Sequence, residues 1–191
     1  MGAADTAVVL AHGAGSNASA PQLVHAAAGF CEAGMLALRI DLPFRQRRPK
    51  GPPHPSTGAA DRQGLREAVA VVRQLGVQRV ILAGHSYGGR QASMLLAEDR
   101  SVAEALVLLS YPLHPPDKPE QLRVAHFSAI HTPVLFVHGS RDPFATIGEL
   151  REAIAGIPAP VELVEVAGAG HDLRRMPLSE IVARALSLLT L

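Results

Sequence analysis

The sequence predicts an α/β protein: a single doubly wound, mainly parallel six-stranded sheet with helices on both faces. Three observations carry this expectation. Short apolar stretches alternate with helix-like stretches along all 191 residues. Most of the apolar stretches are nearly continuous runs, the pattern of parallel strands covered on both sides, and not the period-two alternation of a half-exposed sheet. No internal repeat, linker or shift in composition divides the chain, so residues 1–191 are expected to form one domain.

The first strand is expected at Thr6–Ala11 (TAVVLA) and the first helix at Pro21–Ala33, where Leu23, Ala26, Ala27 and Phe30 fall on one face and Cys31 is expected to pack. Met35–Asp41 reads as the second strand. The segment Pro43–Thr57, rich in proline and arginine, reads as a loop. Asp61–Gln74 carries Leu65, Ala68, Val69 and Val72 at helical spacing, and Gly76 is placed to close it. A strand at Arg79–Ala83 leads into a helix at Tyr87–Glu98, followed by a strand at Ala105–Ser110. Pro112, Pro115, Pro116 and Pro119 break the next interval, Tyr111–Pro133. Proline inside a helix costs ~3 kcal/mol, so there is room for one short helix at Glu120–Phe127 and none for a cap domain. Val134–His138, Thr146–Ala155, Val161–Val166 and Leu178–Leu188 complete the alternation; Glu162 and Glu165 make the last strand suit a sheet edge.

Composition removes several classes of function. Hydrophobic residues make up 48% and charged residues 18%, which excludes a disordered chain. The formal net charge of +1 lacks the basic excess of a general nucleic-acid binder. One cysteine permits neither an intrachain disulfide nor a thiolate metal cluster, and the 9 histidines show no HExxH or HxH spacing. His114, His126 and His131 are expected to be structural or solvent-facing. No metal and no cofactor are expected. No apolar run approaches ~18 residues, and no basic segment followed by an apolar core opens the sequence. A soluble cytoplasmic protein with no membrane partner is therefore expected. Met1–Thr6 fits the short N-myristoylation pattern around Gly2, but Thr6 already begins a strand and leaves little tail for an acyl chain, so lipidation is not expected.

The chemistry concentrates at Gly84-His85-Ser86-Tyr87-Gly88, directly between a strand and a helix. A strand–turn–helix this sharp projects the serine hydroxyl above the sheet and excludes side chains two residues before and after it. Serine is a weak nucleophile without a base, and the base needs an orienting carboxylate. Asp142, in His138-Gly139-Ser140-Arg141-Asp142-Pro143, follows the fifth expected strand. His171, in Gly168-Ala169-Gly170-His171-Asp172, follows the sixth. Gly168 and Gly170 would let that loop carry the imidazole over the serine. Asp172 reads better as the N-cap of the last helical region. His12-Gly13-Ala14-Gly15 closes the first strand, where the backbone N–H of Ala14 and that of Tyr87 would stabilise an oxyanion. His12 itself reads as structural. In the basic loop, Arg45 and Arg48 are candidates for pairing a substrate carboxylate or phosphate.

The ordered set HGAG, GHSYGG, HGSRDP and GAGHD resembles the α/β-hydrolase superfamily over essentially the whole chain. Compact size and the segment Asp41-Leu42-Pro43-Phe44-Arg45 resemble a small group within it that includes proteins like testis-expressed protein 30 and the NSL-complex subunit 3 hydrolase-like domain. The resemblance implies a cap-less serine hydrolase with Ser86, Asp142 and His171 as its triad and a small-molecule ester or thioester, short in its acyl chain, as substrate. A competing expectation is a non-catalytic interaction module that keeps the fold. Retention of all three triad residues favours the enzyme.

Overall fold

The computed structural model describes residues 4–191; Gly2 of the lipidation pattern lies outside them. The strands are β1 (Thr6–Ala11), β2 (Leu36–Ile40), β3 (Arg79–His85), β4 (Ala105–Leu109), β5 (Val134–Gly139) and β6 (Val161–Val166). They form one sheet in the order β2-β1-β3-β4-β5-β6, and every pairing is parallel. Parallel neighbours require crossovers, and six helices supply most of them: α1 (Pro21–Glu32), α2 (Pro43–Arg47), α3 (Gly58–Gln74), α4 (Tyr87–Glu98), α5 (Ile147–Ile154) and α6 (Leu178–Ser187).

The sheet divides the core in two. Ala7, Val9 and Ala11 of β1 face Leu65, Val69 and Val72 of α3 and Leu95 and Leu96 of α4. Val8 and Leu10 face Leu23 and Phe30 of α1 and Ile181 and Val182 of α6. This is why β1, β3, β4 and β5 read as continuous apolar runs: successive side chains enter opposite, equally dry layers. At the edge, β6 keeps Glu165 exposed, as its sequence anticipates.

Three local expectations change. Pro43–Arg47 is a short helix and not loop: Pro43 stands in its first turn, where its missing N–H costs nothing. No α-helix forms at Glu120–Phe127; the interval holds a single 3-10 turn, Phe127–Ala129. Cys31 is exposed on α1 and does not pack into the core. Gly76, in contrast, closes α3 at φ +90°, a backbone conformation open to glycine. No helix among the described residues is long and apolar enough to cross a membrane.

Candidate active site

The strand order reverses between β1 and β3, and in open parallel sheets ligands bind beyond the carboxyl ends of the strands at such a point. Ser86 leaves β3 there. Its φ of 51° and ψ of −117° lie where L-residues rarely stand, a strain of order 1–3 kcal/mol held by the surrounding structure. The turn is held tight on every side. The Ser86 N–H donates to the Leu109 carbonyl at 2.9 Å and the Arg90 N–H to the Ser86 carbonyl at 2.9 Å. A Cβ on Gly88 would come within 2.5 Å of the His12 carbonyl, and one on Gly84 would strike the backbone of Gly88 and Gly89. Glycine at these positions lets α4 start against β1.

The same contacts bring the HGAG loop beside the serine: a Cβ on Gly13 would lie 3.4 Å from Ser86 Cβ and 3.0 Å from His85 Nδ1. His12 is fully buried and structural, with Nδ1 donating to the Gly13 carbonyl at 2.8 Å and Nε2 accepting from the Leu42 N–H at 3.1 Å. Neither the Ala14 N–H nor the Tyr87 N–H has an acceptor among the described residues. Two free donors therefore flank Ser86.

His171 Nδ1 lies 2.8 Å from Asp142 Oδ2. Burial raises the Asp142 pKa, but the hydrogen bond and the charge of His171, with the Phe144 N–H on its other oxygen, outweigh burial and hold the carboxyl below its ordinary value. Two further groups fix His171. His85 Nε2 donates to the His171 carbonyl at 2.7 Å, and the Phe144 ring stacks on the imidazole at 4.3 Å between centroids. Burial drives the His85 pKa down to about 4, so it stays neutral. Gly168 sits at φ 72°, as a swinging loop requires, whereas Gly170 needs glycine for neither conformation nor space. Asp172 is not the N-cap of α6, a position taken by Pro177; it pairs with Arg174 at 2.6 Å. No hydrogen bond joins Ser86 Oγ to His171 Nε2 among the described residues, a looseness common before a substrate arrives.

Tyr87 carries the turn's other anchor. Its hydroxyl donates to Asp61 Oδ2 at 2.6 Å, and burial together with that hydrogen bond raises its pKa. Asp61, fully buried, also accepts from the Phe44 N–H at 2.9 Å and from Thr57 Oγ1 at 3.2 Å.

Ser86 opens into a cleft of about 490 Å³ between the two proline-rich segments, with Pro52–Pro55 on one side and Pro112, Arg123 and Phe144 on the other. A second depression of the same volume, between Pro21–His25 and Asp172–Met176, includes neither Ser86 nor His171. Arg45 is not a substrate ligand. It is 6% exposed, and its guanidinium donates to the carbonyls of Ser16, Ala14, Gly51 and Arg48 at 2.8–3.1 Å. Arg48 is exposed beside Gly51 and does not line the cleft. The arginines that do are Arg90 and Arg123, which no motif marked. Arg90 was within reach of sequence reasoning, standing one helical turn after the serine. No group of three or more His, Cys, Asp or Glu among the described residues could hold a metal.

Fold and site together define an α/β-hydrolase, and residues 4–186 match the model of the alpha/beta hydrolase domain. The chain belongs to that family. Among solved structures it is similar to Est1E from Butyrivibrio proteoclasticus, with a TM-score of 0.76, 18% identity and coverage of 100% of this chain and 90% of that one. It is likewise similar to XC6422 from Xanthomonas campestris, described as an α/β serine hydrolase without lid, with a TM-score of 0.74, 18% identity and coverage of 99% and 83%. Dienelactone hydrolase from Anabaena variabilis gives 0.73, 22% identity and coverage of 98% and 86%. At these identities the likeness is one of fold, and the absent lid agrees with the cap-less architecture.

Proposed function

We propose that this hydrolase cleaves a carboxylic ester or thioester of a small, short-acyl molecule through Ser86, His171 and Asp142. The observation that carries the reading is the 2.8 Å bond between His171 and Asp142, at the same sheet edge as a serine in a strained elbow. Ser86 Oγ attacks the carbonyl carbon while His171 Nε2 takes its proton. Asp142 holds the imidazole by Nδ1 and stabilises the imidazolium. The Ala14 and Tyr87 N–H groups receive the oxyanion. Collapse expels the alcohol or thiol with the proton from His171. Water then gives a proton to Nε2 and attacks the acyl-serine; collapse breaks the acyl–Oγ bond, His171 returns the proton to Ser86 Oγ, and the acid leaves. Metal and cofactor have no step in this scheme. The open cleft supports short acyl groups. Grouping with members like testis-expressed protein 30 and NSL-complex subunit 3 rests on the compact build and the Asp41–Arg45 segment.

A fluorophosphonate probe tests the reading. Labelling of the wild type that disappears in Ser86→Ala supports it. A folded wild-type chain that neither labels nor hydrolyses p-nitrophenyl esters refutes it and favours an interaction module.

A further inference from the structure

We propose that Arg90 and Arg123 form a carboxylate-binding subsite in the Ser86 cleft, so that the substrate is an ester or thioester carrying a second, ionised carboxylate. The inference rests on the serine-hydrolase reading and narrows its substrate class. Both arginines line the cleft that holds Ser86, Ala14 and Tyr87, and no Asp or Glu lines it with them. Neither lies within 4.0 Å of a carboxylate among the described residues. The contrast with the neighbouring Arg62 is sharp: that side chain pairs with Glu98 at 2.9 Å and donates to Gln91 at 3.0 Å. Arg90 Nε is buried with no hydrogen-bond partner among the described residues. Arg123 commits one N–H to the Pro112 carbonyl at 3.2 Å, and the rest of its fork has no acceptor among the described residues.

Two like charges stand close enough to oppose each other. Burial, and after it the charge of Arg90, lowers the Arg123 pKa; burial and Arg90 also push His126 down to about 4. Such an uncompensated pair is unfavourable alone and becomes favourable when an anion enters between the guanidiniums. Guanidinium forks match a carboxylate's two oxygens, and partial burial strengthens the pairing relative to open solvent. The position is also suitable. Arg90 follows Ser86 by one turn of α4, so its side chain rises on the serine's side of the helix. Asp61, beneath Tyr87, accepts from Phe44, Thr57 and Tyr87 and, among the described residues, forms no ion pair with either arginine.

The test compares mono-4-nitrophenyl adipate with 4-nitrophenyl hexanoate, equal in acyl length and different in one carboxylate, after subtraction of spontaneous hydrolysis. The expected wild-type kcat/KM ratio favours the adipate ester by about tenfold or more. Arg90→Gln and Arg123→Gln should each bring that ratio toward one, by up to about tenfold, chiefly through KM, as loss of a charged hydrogen bond does. Arg123→Lys should recover part of it, and Arg151→Gln, exposed on α5, should leave it unchanged. Raising NaCl should compress the ratio. If Arg90→Gln fails to fold, the Arg123 pair and the salt series still decide. A wild-type ratio near one, or a ratio that neither glutamine variant moves, overturns the subsite while Ser86-dependent hydrolysis of the hexanoate leaves the hydrolase reading standing. Loss of Ser86-dependent hydrolysis for both esters overturns the two together.

Discussion

Replacing Asp61 by alanine should destabilise this chain by about 2–4 kcal/mol, a figure assembled from the three donors it would strand. The Phe44 N–H belongs to a residue 4% exposed and loses its only acceptor, a loss of ~1–3 kcal/mol. The Tyr87 hydroxyl is half-buried and can turn partly to water, so its broken bond contributes ~1 kcal/mol. Thr57 Oγ1 also has the His54 carbonyl at 2.9 Å and contributes little. For a chain of this length each kcal/mol lowers Tm by about 2–4 °C, giving a fall of roughly 5–15 °C by thermal circular dichroism. Asp61→Asn should lose only ~1 kcal/mol, because its Oδ1 can accept from Phe44 and its Nδ2 can donate to the Tyr87 oxygen. A double-mutant cycle with Tyr87→Phe isolates the shared bond and should give a coupling of ~1–2 kcal/mol. Asp61→Ala within ~0.5 kcal/mol of wild type, or strict additivity with Tyr87→Phe, would refute the claim that this carboxylate ties α2 to the elbow.

Three further outcomes are expected. Asp142→Asn should stay folded and lose roughly 10⁴-fold in kcat on an activated ester, the loss seen when asparagine imposes the wrong imidazole tautomer; near-normal turnover would implicate another carboxylate. His85 is neutral in the folded chain and becomes protonated below about pH 6.5 only on unfolding. Stability should therefore fall as pH drops from 6.5 to about 4, by ~3 kcal/mol from this group, and His85→Gln should flatten that part of a urea-unfolding profile. His12 and His138, also lowered chiefly by burial, add to the slope with the same sign. Across acetyl to palmitoyl p-nitrophenyl esters, kcat/KM should not climb with length, since an open cleft leaves chain methylenes in water and forgoes ~0.8 kcal/mol for each; a steady rise would reveal an apolar groove.

The strands were legible because burial on both faces writes itself as uninterrupted apolar runs, and the motifs were legible because each sits where such a run stops. Pro43–Arg47 was not: five residues are too few for a helical period, and proline and arginine together imitate a loop. The direction of Arg45 was equally hidden. Charge alone places a guanidinium in water or substrate, and only the folded loops supply four carbonyls to receive it. Arg123 reaches the cleft because the segment after β4 doubles back, with the Arg123 N–H on the Leu113 carbonyl at 2.8 Å. That return is a tertiary event with no local signature. Exposure of Cys31 shows the same limit, since residue type fixes tendency and not which side of a helix meets the sheet.

Arg45 has a consequence for how this scaffold can diversify. One side chain clasps Ala14 and Ser16 of the loop beside Ser86 and, with its N–H groups, Arg48 and Gly51 of the segment leading to the wall of the cleft. Loops that shape a pocket usually change freely because they hang from a rigid frame. Here one wall of the cleft and the loop beside Ser86 share a fastener. Insertions between Arg48 and Gly51 would pull on Ala14, so new substrate shapes are more readily reached by altering Pro52–Pro55 or the segment after β4, beyond the clasp. A library randomised on either side of that boundary would divide accordingly: altered selectivity at full rate outside it, and slower turnover for every substrate within it.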